Sequence, residues 1–185
     1  MQIEKIHHVA YRCKDANVTA QFYKRVLNMD LLGAAAEDMV PSTREPDPYM
    51  NIFLDAGGGN ILAFFEVPNS PPMQPDPNTP AWLQHIAFQV RDLHVLTEAK
   101  ARAEADGLEV TGPVDHTIFQ SIYFFDPNGH RLEVAAWSQD PGQMARLGET
   151  STEMLEEWSR TKRPPCKAAW IHEREFDGGP RILNT

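Results

Sequence analysis

Two histidines stand at matching positions of an internal repeat, and a later glutamate has the strand parity to join them at one ion. The segment His8-Val9-Ala10-Tyr11-Arg12-Cys13-Lys14-Asp15 returns as His85-Ile86-Ala87-Phe88-Gln89-Val90-Arg91-Asp92, with His, Ala and Asp identical in register. Alternate residues of a strand share a face, so His8, Ala10 and Arg12 lie together, as do His85, Ala87 and Gln89. The opposite faces, Val9/Tyr11 and Ile86/Phe88/Val90, are apolar and suit packing beneath helices. Glu133, flanked by Leu132 and Val134, takes the less apolar face of a predicted last strand. Two imidazoles and one carboxylate leave several coordination positions open. This is the ligand set expected of a non-haem Fe(II) oxygenase, although Mn(II), Zn(II), Co(II) or Ni(II) can occupy it. A single strand histidine is usually structural; recurrence at one repeat position is what makes this pair informative. His7 points the other way and reads as structural.

The elements that must carry these residues follow from the flanking pattern. After Asp15, a plausible N-cap, Phe22, Tyr23, Val26 and Leu27 fall at helical spacing, and Asn28 suits the left-handed stop. After Asp92 the pattern is Leu93, Leu96, Ala99 and Ala103, closed by Gly107. Strand-like segments follow at 30–35, 49–54 and 60–67, and again at 108–114, 118–125 and 130–137. Asp55-Ala56-Gly57-Gly58-Gly59 and Asp126-Pro127-Asn128-Gly129 are the matching hairpin turns. Residues 68–80 hold six prolines and read as a stiff linker. The pattern thus predicts a first βαβββ module over 1–67, a second over 81–138, and a C-terminal helix and tail over 139–185. Within the last, 141–163 reads as an amphipathic helix with Met144, Leu147, Met154, Leu155 and Trp158 near one side.

Composition narrows the partners. The 185 residues carry 17 Lys plus Arg against 26 Asp plus Glu, a net charge of −9, which disfavours nucleic acid and anionic membranes. An apolar content of 42% supports a real core. No apolar run approaches the ~20 residues of a membrane helix, and the N-terminus lacks the apolar core of a signal peptide. Cys13 and Cys166 show no paired spacing and read as free thiols. The expectation is a soluble, cytoplasmic protein.

With these residues in view, the chain resembles the vicinal oxygen chelate superfamily of glyoxalases, fosfomycin-resistance transferases, bleomycin-binding proteins and extradiol ring-cleaving dioxygenases. The resemblance covers about residues 4–137. It rests on the two His-x-Ala strands, on Phe22-Tyr23-Lys24-Arg25-Val26-Leu27-Asn28-Met29, and on Asp126-Pro127-Asn128-Gly129-His130-Arg131-Leu132-Glu133. It implies an α+β fold in which two βαβββ modules form an open, eight-stranded, cup-like barrel around a metal, here followed by a C-terminal helix. Glyoxalase-like lyases add a glutamate on the last strand of the first module. The corresponding position here is Ala63, and Glu66 has the wrong parity to replace it.

The second module resembles the extradiol dioxygenases more closely, through Val114-Asp115-His116, Ile122-Tyr123 and Glu133. The resemblance makes His116 and Tyr123 catalytic residues beside a catechol-like substrate. It makes His8, His85 and Glu133 the metal ligands, with Fe(II) and O2 as the reactive pair. It also implies a homodimer. One departure stands out: no histidine lies between His8 and His85 to match the family's acid–base histidine, and His172 sits in a tail that the pattern does not place. Two alternatives remain: a metal-dependent lyase, isomerase or thiol transferase using the same ligands, and a metal-free small-ligand binding protein.

Overall fold

Each half of the chain builds the same succession of elements, because the same signals recur in each. A computed structural model describes residues 2–138, 140, 142–165, 167 and 170; Cys166 and His172 lie outside them. In the first half β1 (His8–Cys13) leads into α1 (Ala16–Leu27), β2 (Leu31–Met39), β3 (Pro46–Asp55) and β4 (Ile61–Glu66). In the second, β5 (His85–Gln89) is followed by α2 (Leu93–Ala105), β6 (Thr111–Asp115), β7 (Phe119–Phe125) and β8 (Arg131–Trp137). The helix signals act as the pattern predicts. Asp15 accepts from the Val18 N–H at 2.8 Å, Asp92 accepts from the Val95 N–H at 3.0 Å, and Asn28 closes α1 at φ 56°.

The strands form two four-stranded sheets ordered β1-β4-β3-β2 and β5-β8-β7-β6, with β1–β4 and β5–β8 parallel and the other pairs antiparallel. β2 and β3 run further than the alternation suggests. Their added ends pair Glu37 with Tyr49 and Met39 with Pro46, where β2 is exposed on both faces and its sequence carries no apolar period to mark it. The proline-rich segment 68–80 holds turns but neither helix nor strand, and Arg12 Nη2 fastens it by donating to the Pro71 carbonyl at 2.7 Å.

One apolar core lies on the helix side of both sheets. Phe22, Tyr23, Leu54, Leu62 and Phe64 join Leu96, Ile122, Phe124, Leu132 and Val134 in a single buried cluster. Cys13 belongs to it, and burial pushes its thiol up to about 11. The two halves are tied by the Asp126–Gly129 turn, which docks on the β1–α1 junction. Asn128 Oδ1 accepts from the Lys14 N–H at 2.9 Å, and its Nδ2 donates to Thr19 Oγ1 at 3.1 Å and to Asp126 Oδ2 at 2.9 Å. Tyr23 Oη donates to the same carboxylate at 3.2 Å, and His130 Nε2 donates to the Arg12 carbonyl at 2.7 Å.

This buried knot sets a clear expectation. Asn128→Ala strands the Lys14 N–H and frees Thr19 and Asp126 of a partner, so it should cost about 2–4 kcal/mol in denaturant unfolding. Asn69→Ala, in the exposed linker, should stay within about 0.5 kcal/mol.

The other faces of the sheets are open toward their edges, while Ala63, Ser121 and Glu133 on them are buried. Along β5 exposure alternates, with His85, Ala87 and Gln89 outward and Ile86 and Phe88 toward the core. β2 is exposed almost throughout, and Trp137 and Phe125 on the open face of the second sheet are half exposed. α3 (Gly142–Thr161) follows β8, and none of its residues is buried. No helix among the described residues is long and apolar enough to cross a membrane.

Candidate metal centre

The register of the second sheet brings four of the five sequence-predicted residues into one hydrogen-bonded group. His85 on β5 pairs across to Arg131 on β8, and Glu133, two residues on, pairs with Tyr123 on β7. All lie on the open face, because Leu132, Val134, Ile122 and Phe124 take the core face. His85 Nε2 stands 2.8 Å from Glu133 Oε2. The other oxygen, Oε1, accepts from Tyr123 Oη at 3.2 Å and from Ser121 Oγ. His116, in the short turn between β6 and β7, places Nε2 2.8 Å from Tyr123 Oη. With the phenol proton directed at Glu133, the Tyr123 oxygen accepts from His116, so a donor chain runs from His116 through Tyr123 to the carboxylate.

Glu133 is 3% exposed, an expensive place for a carboxylate. The three groups around it supply what solvent would otherwise provide. Burial holds the Tyr123 phenol above its ordinary pKa, and the negative charge of Glu133 pushes the same way. Tyr123 therefore remains a donor across the neutral range. The Arg131 guanidinium lies over its ring at 4.1 Å.

The donor pair fits a divalent ion. Two ligands bound side by side at ~2.1 Å from one metal stand about 3 Å apart, close to the His85–Glu133 separation. An ion bound between them would replace the contact that joins Nε2 to Oε2. Among the described residues no three His, Cys, Asp or Glu side chains are grouped to hold a metal, so no third such group stands beside this pair. His8 lies on the other sheet, exposed, with Nδ1 2.8 Å from His7 Nδ1. Glu66 is turned to the core face, where Oε2 accepts from the Ala16 N–H at 2.7 Å and serves the start of α1.

Sequence reasoning missed Ser121 and Arg131. Ser121 shares strand parity with Tyr123 and interrupts the apolar run of β7, the one signal that could have found it. Of the aromatic residues near the site, Phe124 and Tyr11 belong to the core side, whereas Phe119 and Trp137 meet edge to face at 5.9 Å on the open face.

Comparison with known proteins bears on the family and the fold. The profile of the glyoxalase/bleomycin resistance protein/dioxygenase superfamily matches residues 5–134. The chain belongs to that superfamily. It is 28% identical over 144 residues to a Bacillus subtilis (strain 168) protein assigned provisionally as the ring-cleaving dioxygenase MhqA, covering 77% of this chain and 43% of that one. It therefore spans less than half the length of that relative. It is 27% identical over 135 residues to the metallothiol transferase FosB of Staphylococcus epidermidis (strain ATCC 12228 / FDA PCI 1200), covering 72% of this chain and 82% of that one. Among solved structures, a glyoxalase family protein from Enterococcus faecalis aligns with a TM-score of 0.54 and 27% identity, over 73% of this chain and 99% of that one.

Proposed function

We propose that this superfamily member is an Fe(II)-dependent extradiol-type dioxygenase that opens the ring of a catechol-like substrate. It acts as a cytoplasmic homodimer in which His8 of one copy completes the metal centre begun by His85 and Glu133 of the other. The observation that carries the reading is the buried Glu133 carboxylate, shared between His85 on one oxygen and Tyr123, backed by His116, on the other. A carboxylate so placed needs polar partners to offset its burial. It is buried at a cost and aimed, with an imidazole, at an open face.

Bound Fe(II) would act as a Lewis acid toward two vicinal oxygens and make O2 reactive toward the ring. The chain's own residues account for the rest. Tyr123 Oη, beside the carboxylate, can donate to an oxygen on which negative charge develops, and His116 Nε2 can replenish that proton. Phe119 and Trp137 offer aromatic walls on the same face. His116 also offers an acid–base group, where no histidine lies between His8 and His85.

The test is O2 uptake by anaerobically prepared, Fe(II)-loaded protein against a panel of catechols. Uptake dependent on iron and on His85, with a ring-opened product, supports the reading. Tyr123→Phe should keep the metal and lose about 10²-fold in kcat. Absence of uptake from protein that holds stoichiometric iron would sink ring cleavage. A second reading, a metal-dependent lyase, isomerase or thiol transferase, is favoured by the fuller coverage of the FosB relative. It requires no O2 and would work with Mn(II), Zn(II) or Ni(II).

A further inference from the structure

Where the two halves meet, the proline-rich linker walls a cavity of about 630 Å³ that ends at His85. Met73 and Ala81 bound it on the linker side, and Tyr11 and His130 line it from the seam, their rings 4.8 Å apart. Its charge runs against that of the chain. The protein carries −9 overall, yet Lys14 and Arg131 both line this cavity. The one carboxylate among the described residues there, Asp76, is turned into its own loop, where it accepts from the Asn78 N–H at 2.9 Å and the Thr79 hydroxyl at 2.5 Å.

Arg131 links this cavity to the candidate metal centre. It is the cross-strand partner of His85, sits two residues before Glu133 on the same face, and stacks on Tyr123. Its Nη1 donates to the Trp82 carbonyl, which fixes the guanidinium. Nε and Nη2 have no acceptor among the described residues. A guanidinium held in place with two unused donors recognises a planar oxyanion better than a mobile lysine does. The volume, of the order that takes a one- or two-ring molecule, and the Tyr11–His130 wall suit an aromatic body.

We propose that this cavity is a subsite for the carboxylate-bearing arm of an aromatic ligand, with Arg131 as its main contact and Lys14 as a second positive charge. As a statement about substrate, that the ring-cleaved diol carries an acidic substituent, it rests on the function proposed above. As a statement about binding it does not.

The binding test uses metal-free protein and two probes that cannot chelate: 2-naphthoate and its neutral counterpart 2-naphthalenemethanol, titrated calorimetrically. Wild type should bind the carboxylate at least about tenfold more tightly than the alcohol. Arg131→Gln should erase that preference. Lys14→Met, at an exposed position that leaves the Arg131 contacts in place, should reduce it about threefold. Melting temperatures of both variants check the fold, and Lys14→Met keeps the test decisive should Arg131→Gln not fold. Equal affinity for the two probes, undetectable naphthoate binding, or a preference indifferent to both substitutions would overturn the proposal. On Fe(II)-loaded enzyme, 3,4-dihydroxybenzoate should exceed catechol in kcat/KM, and Arg131→Gln should remove the advantage. Naphthoate binding without ring cleavage of either diol would keep the subsite and discard the dioxygenase.

Discussion

Glu133→Gln is expected to abolish metal-dependent turnover while leaving the metal-free protein as stable as wild type or more so. The two effects share one origin. Without metal, the Glu133 carboxyl group is removed from solvent, with the hydroxyls of Ser121 and Tyr123 and the His85 ring as its partners. The amide of glutamine preserves the shape and one oxygen acceptor but carries no charge to desolvate. Its substitution should therefore shift Tm by only a few degrees, upward if desolvation outweighs the lost hydrogen bonds. For a metal the balance reverses, because a neutral amide oxygen is a poor substitute for a carboxylate. Loss of residues that merely support a ligand costs about 10–100-fold, so loss of a ligand itself should cost about 10³-fold or more in kcat/KM. The rise in Tm that wild type shows on adding Fe(II) or Mn(II) should vanish in the variant. A Glu133→Gln protein that melts far below wild type and still gains stability from metal would make Glu133 a structural residue, and the proposed centre would fall with it.

The contrast between what alternation reveals and what it hides runs through the whole chain. Period-two patterning puts His85 and Glu133 on the less apolar faces of their strands, because their neighbours Ile86, Leu132 and Val134 need a core, whereas Tyr123 entered through the family resemblance alone. It likewise kept Glu66 off that face, and the structure gives Glu66 a separate task at the start of α1. The repeat announced two equivalent modules, and both helices begin at the aspartates that the pattern marks. What alternation leaves out is tertiary. It reports that a face is less apolar but not which sheet, of which copy, will lie over it. The Asp126–Gly129 turn reads as a hairpin from its residue types, yet its buried amide knot to Lys14 and Thr19 depends on contacts more than a hundred positions away. Residues 68–80 read as a spacer, because proline content describes stiffness and says nothing about a cavity formed between the linker and the sheet beside it.

Mixing two inactive variants should restore activity if the centre is shared between copies. His8→Ala removes the proposed ligand on the first sheet and His85→Ala the proposed ligand on the second; each alone should be inactive, since every site would then lack one imidazole. Subunits unfolded together and refolded at equal amounts sort at random, so half of the dimers carry one chain of each kind. In such a dimer one site combines both lesions and the other combines two intact sheets. Restored activity should therefore approach about a quarter of wild type. If His8 instead reached the His85–Glu133 pair of its own chain, each chain would carry its own lesion and mixing would restore nothing. The open first sheet, the exposed His8 and the lack of a third ligand beside His85 and Glu133 among the described residues all favour the quarter. Sizing of the refolded mixture adds the control: recovery must come from a dimeric species, and a fully active monomer would refute the shared centre outright.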